Sequence, residues 1–190
     1  MLVIIGKFLG TSMNSTIGNQ FPSLLYTREA TPEQVSQIIA VGDFSAWIGM
    51  VLFGIIFDKC KTQMASAGVT ITCISIVLKS LVIFAIAVCY NLDVMYLLKS
   101  LESVTNGGYL ATDSAMWFGM IPLDCYTTAV SVGSATIGIA VLIASPMVAI
   151  FYDLFGDYII GFCACVVFGL CSGICYAIVG VLMKRRNQLM

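Results

Sequence analysis

Residues 158–183, YIIGFCACVVFGLCSGICYAIVGVLM, run for 26 residues without one charged side chain. At about 1.5 Å of rise per residue, such a helix crosses roughly 30 Å of hydrocarbon with residues to spare. An uninterrupted apolar run of this length reads as a membrane span.

Toward the N-terminus five more segments meet the same length, at about 127–151, 94–118, 65–90, 34–57 and 2–26. The connections are short: TREATPE (27–33), DKCKTQM (58–64), NLD (91–93), a break around Pro122, and DLFGDY (153–158). Short loops make an antiparallel helical bundle the economical arrangement, because irregular backbone is not tolerated against lipid. Over the 190 residues 59% are hydrophobic and 10% charged, whereas soluble domains run near a quarter charged. The expectation is an all-α, polytopic membrane protein embedded in a lipid bilayer, one six-helix domain over 1–190. A net charge of −1 leaves no electrostatic footprint for nucleic acid.

The chain contains no histidine. That removes Ser-His dyads, His-ligated haem, His-containing zinc sites and His general bases together. Its eight cysteines, Cys60, Cys73, Cys89, Cys125, Cys163, Cys165, Cys171 and Cys175, fall mostly inside apolar runs and read as small hydrophobes. No paired C-x-x-C spacing marks a metal site. Asp153 and Asp157 lie four residues apart in one loop, whereas an intramembrane aspartyl protease needs its two aspartates on facing helices. Neither catalysis nor a cofactor or metal is expected.

Up-and-down threading puts Lys59, Lys61, Lys184, Arg185 and Arg186 on one side of the membrane and only Arg28 on the other. The excess of Lys and Arg on the inner side of membranes predicts that both termini are cytoplasmic. A shift of 95 residues lays Phe53-Gly54-Ile55-Ile56-Phe57-Asp58 over Val148-Ala149-Ile150-Phe151-Tyr152-Asp153. Two three-helix sets of opposite sense would carry that match, as the inverted repeats of transporters do.

Polar residues inside the spans mark candidate sites. In the first segment Thr11, Ser12, Asn14, Ser15, Thr16, Asn19 and Gln20 cluster at mid-depth. They must face other helices or a water-filled cavity, and the two Asn and one Gln favour a cavity. In the fourth, Lys99, Glu102, Asn106, Tyr109 and Asp113 fall within roughly 80° of one another on a helix. Intramembrane charges line pathways by default; the alternative is a Lys99–Glu102 ion pair across one turn near the outer surface. Gly107 and Gly108 beside them predict a bend or a close approach. Asp43, with Trp47 one turn along, and Lys79 both need partners, and Asp43, Glu102 and Lys79 can satisfy one another. Ser131, Gly138 and Ser145 form a small-residue stripe for helix packing on the fifth segment.

Gly54-Ile55-Ile56-Phe57-Asp58-Lys59-Cys60-Lys61 resembles the signature G-x-x-x-D-[RK]-x-G-[RK] between the second and third helices of each half of a major facilitator superfamily transporter. Lys61 stands where the later glycine usually does. Ala144-Ser145-Pro146 through Asp153-Leu154-Phe155-Gly156-Asp157-Tyr158 is similar to the end of the fifth helix in monocarboxylate and oxalate–formate type members. The resemblance implies the C-terminal six helices of such a carrier: half of the fold, working as a half-size or truncated unit. It implies secondary transport of a small solute, alone or with a coupling proton or other ion. A second six-helix half, from a homodimer or a separate N-terminal half, would complete the cavity. Segments one and four, helped by two and five, would then form the covered surface, with three and six toward lipid. The loop of Gly54, Asp58, Lys59 and Lys61 would act as a latch between conformational states. The alternative is a six-span protein that does not transport, or an inactive fragment of a full-length carrier.

Overall fold

The computed structural model describes residues 1–59 and 64–188, and those residues form six α-helices: α1 (Leu2–Thr27), α2 (Pro32–Lys59), α3 (Met64–Val88), α4 (Leu92–Met120), α5 (Leu123–Phe155) and α6 (Tyr158–Gln188). Each helix covers one of the six apolar segments. Four contain stretches long and apolar enough to cross a membrane, over Pro32–Lys59, Ala67–Val88, Asp124–Phe155 and Tyr158–Arg185. The polar and charged residues of α1 and α4 set those two apart.

Local chemistry fixes the ends. Thr31-Pro32-Glu33-Gln34 is a reciprocal capping box: the Thr31 N–H donates to Gln34 Oε1 at 2.9 Å, and the Gln34 N–H donates to Thr31 Oγ1 at 3.3 Å. Proline suits the first helical position, where its missing N–H costs nothing. Asn91 caps α4 by accepting from the Asp93 N–H at 2.9 Å. Ile121 is held extended by the proline that follows it (φ −119°, ψ 137°), which ends α4. Gly156 closes α5 in the left-handed region at φ 72°, and its N–H donates to the Tyr152 carbonyl at 2.7 Å. Asp157 then opens α6 by accepting from the Ile159 N–H at 3.0 Å.

Two packing groups make up the bundle. α4 lies against α2 and α3, α1 lies against α5 and α6, and α3 packs on α6 to join them. At one end of the bundle Arg28, Tyr90, Tyr152 and Asp157 surround a small cavity. Arg28 donates there to the Ile86 and Ala87 carbonyls at 2.8 and 2.7 Å, satisfying the last turn of α3. Met1, Met120 and Met183 gather at the other end. Successive helices therefore run antiparallel, as the short loops require.

Gly107 and Gly108 mark a close approach and no break, since α4 runs through them. A Cβ on Gly107 would come within 2.6 Å of the Met50 backbone nitrogen. One on Gly49 of α2 would come within 2.8 Å of Val104 Cα. Backbone touches backbone here, and only hydrogen fits. α2 and α5 leave many large apolar side chains exposed, among them Phe44, Val51, Ile55, Leu142 and Leu154.

Candidate functional site: a polar seam between α1 and α4

α1 and α4 face one another in a register that repeats every seven residues. Lys7 meets Asp113, with Nζ 2.8 Å from Oδ2. Asn14 and Asn106 both reach Lys79. Phe21 lies under Lys99, whose Nζ is 5.1 Å from the ring centre. Positions 7, 14 and 21 on one helix thus oppose 113, 106 and 99 on the other. Seven residues are nearly two turns, so each step returns to almost the same face. At about 1.5 Å per residue the three layers extend over about 21 Å, most of a membrane's hydrocarbon depth.

The middle and third layers share one carboxylate. Glu102 Oε1 lies 2.7 Å from Lys79 Nζ, and Oε2 lies 2.7 Å from Lys99 Nζ. The Lys79 and Glu102 side chains are only 2% and 3% exposed, so this interaction is formed out of water. An ammonium has three donors and no acceptor. Lys79 directs its donors to three oxygens: Glu102 Oε1, Asn14 Oδ1 and Asn106 Oδ1, the last at 3.0 Å. Both amides therefore turn their oxygens inward. Lys99 is held less completely. Its charge meets Glu102 Oε2 and the face of Phe21, and its side chain is 12% exposed. Two lysines against one glutamate leave this cluster with one net positive charge.

The first layer is a balanced pair. Asp113 Oδ1 accepts from Trp117 Nε1 at 3.3 Å, while the Lys7 ammonium stands 5.2 Å from the centre of the Trp117 ring. Beside it a cavity of about 180 Å³ opens between α1, α4 and α5.

The residues expected from the sequence divide into groups. Asn14, Lys99, Glu102, Asn106 and Asp113 join the seam, and Tyr109 is buried on the same helix as the last four. The Lys99–Glu102 pair is present, but its carboxylate is buried and also holds Lys79. Asp43 and Trp47 do not join it. Trp47 is 72% exposed on α2 and Asp43 is exposed beside it, so Lys79 and Glu102 satisfy one another without Asp43. Asn19 is exposed and donates to Ser145 Oγ on α5 at 2.7 Å. Thr16 and Gln20 likewise donate to the Ala144 and Ser145 carbonyls, so this part of α1 grips α5 beside Pro146. Asp58 and Lys59 are exposed at the end of α2, with Gly54 one turn before Asp58. Lys61 and Cys60 lie outside the described residues.

Lys7, Phe21 and Trp117 were not singled out from the sequence. The signal that finds Lys7 is the spacing Lys7, Asn14, Phe21, matched in reverse by Lys99, Asn106, Asp113. No protein-family model matches the chain, and no curated protein sequence matches it.

Proposed function

We propose that the chain carries a small solute across a membrane as a six-span, major facilitator type unit, with both termini on the cytoplasmic side. The observation that carries this reading is the polar seam, layered along the facing sides of α1 and α4. Charges placed so deep serve a pathway more often than a scaffold. Helix packing adds support for two inverted three-helix repeats. Exchanging α1, α2 and α3 for α4, α5 and α6 turns each of the main packing pairs into another: α2 on α4 becomes α5 on α1, α3 on α4 becomes α6 on α1, and α3 on α6 is unchanged. A shift of 92 residues also lays Lys7 over Lys99 and Asn14 over Asn106.

The polar sides of α1 and α4, expected to need a second half as their cover, are enclosed within the six helices; in this reading a second six-helix half instead covers the exposed sides of α2 and α5, and the Gly54–Lys61 stretch is the latch. A coupling ion, where there is one, uses the same seam. The test is alternating access at Asn106. In a cysteine-free background reconstituted in vesicles, Asn106→Cys is expected to react with a membrane-impermeant maleimide from either side. Reaction from neither side would remove the transport reading.

One observation favours the alternative of a non-transporting six-span protein. Lys79 has all three donors occupied within the bundle, as an ion-pair network built only for packing would. That alternative predicts no labelling at Asn106 from either side.

A further inference from the structure

The cavity beside the first layer has two opposite charges on one wall and a mixed wall of polar and apolar α5 residues on the other. Lys7 and Asp113 form the charged wall, with Trp117 bridging them. Tyr126, Val130, Ser134 and Ile137 of α5 face them. α5 is thinned at this level by Gly133, where a Cβ would come within 3.4 Å of Lys7 Nζ. Among the described residues neither charge has all its hydrogen-bonding positions filled. Lys7 has three donors and meets one oxygen among the described residues. Asp113 accepts from Lys7 and Trp117, against about four acceptor positions on a carboxylate.

A pair serving structure alone gains from being closed off and fully hydrogen-bonded. This one opens onto a cavity of about 180 Å³. Ligand charge decides what fits. A simple anion drawn to Lys7 is repelled by Asp113, and a simple cation drawn to Asp113 is repelled by Lys7. A solute with both charges on neighbouring groups satisfies both and adds no net charge to a low-dielectric interior. The geometry points to a binding site for a small zwitterion of the α-amino acid class. Its carboxylate lies on Lys7, its ammonium on Asp113, and a short aliphatic side chain against Val130 and Ile137. Binding stands on this geometry alone; only movement of the solute across the membrane rests on the transport reading.

The two tryptophans make the test direct. Trp47 is exposed on α2, so Trp47→Phe leaves Trp117, inside the site, as the reporter. In the full chain in nanodiscs, L-alanine is expected to change Trp117 emission saturably, with propionate and ethylamine at least tenfold weaker. Asp113→Asn and Lys7→Gln are each expected to abolish the response. Because either leaves a lone charge, Lys7→Met/Asp113→Leu removes both, and it should melt as a folded protein yet give no response. Unchanged emission with alanine in the folded parent overturns the site, as does an equal response to propionate. Alanine uptake into vesicles separates the two readings. Binding without uptake counts against transport and leaves the site standing, whereas uptake without a Trp117 response overturns the site.

Discussion

At the scale of single residues, Glu102 is the keystone of the seam, and its neighbours are not equivalent to it. Replacing it by Gln leaves Lys79 and Lys99 facing one another without a counter-charge. Breaking a buried pair by removing one partner costs about 3–5 kcal/mol, so Glu102→Gln is expected to melt far below the parent in detergent or fail to fold. Lys99→Gln should behave oppositely. It removes the surplus positive charge and leaves Lys79 paired to Glu102, so its melting temperature should match or exceed that of the parent. Equal losses in the two variants would contradict the assignment of the surplus to Lys99. Much of this was legible in the sequence, because Lys99, Glu102, Asn106 and Asp113 fall on one face of a helix by spacing alone. Which partner meets each was not. Lys79 sits on a different helix, and periodicity within one helix carries no information about what lies across from it.

At the scale of elements, hydrophobic run length and short loops were enough to place all six helices, because caps and breakers occupy the boundaries. Thr31-Pro32-Glu33-Gln34, Asn91, Pro122 and Gly156-Asp157 each act through a hydrogen bond or a backbone preference written in the residue itself. Inter-helix distance is less legible. Gly107 and Gly108 were compatible with either a bend or a close approach, and the choice depends on Gly49 facing them from α2. Gly49→Leu should push α2 away from α4, at a cost of about 1–3 kcal/mol for overpacking. Gly54→Leu on the same helix is the control, since nothing lies within 4 Å of a Cβ there. Thermal melting of the two variants checks this, and similar losses would show that the α2–α4 approach is not tight.

At the scale of the whole molecule, the alternating helices place residues 28–33 and the Lys184-Arg185 end of α6 at opposite ends of the bundle. A glycosylation acceptor inserted in the 28–33 loop should be modified, and one placed after Lys184 should not be. Modification of the second acceptor alone would reverse the proposed orientation. The outward face differs from a simple expectation that α3 and α6 are turned to lipid. Both do expose apolar side chains, such as Leu78, Phe84, Val167 and Ile174. Their inner faces, however, join the two packing groups, and α3 carries Lys79 into the seam. The partners that Lys79 needs all belong to α1 and α4.

Lys79 also has a consequence for how the chain is made. α3 leaves the ribosome before α4, so Lys79 reaches the translocon when Asn14 already exists but Glu102 does not. A central lysine costs about 2.5–3.5 kcal/mol on insertion scales, and α3 must offset that with its own apolar residues or wait beside α1. Assembly in the order of synthesis is therefore expected, with Asn14 meeting Lys79 before Glu102 is available to pair with it.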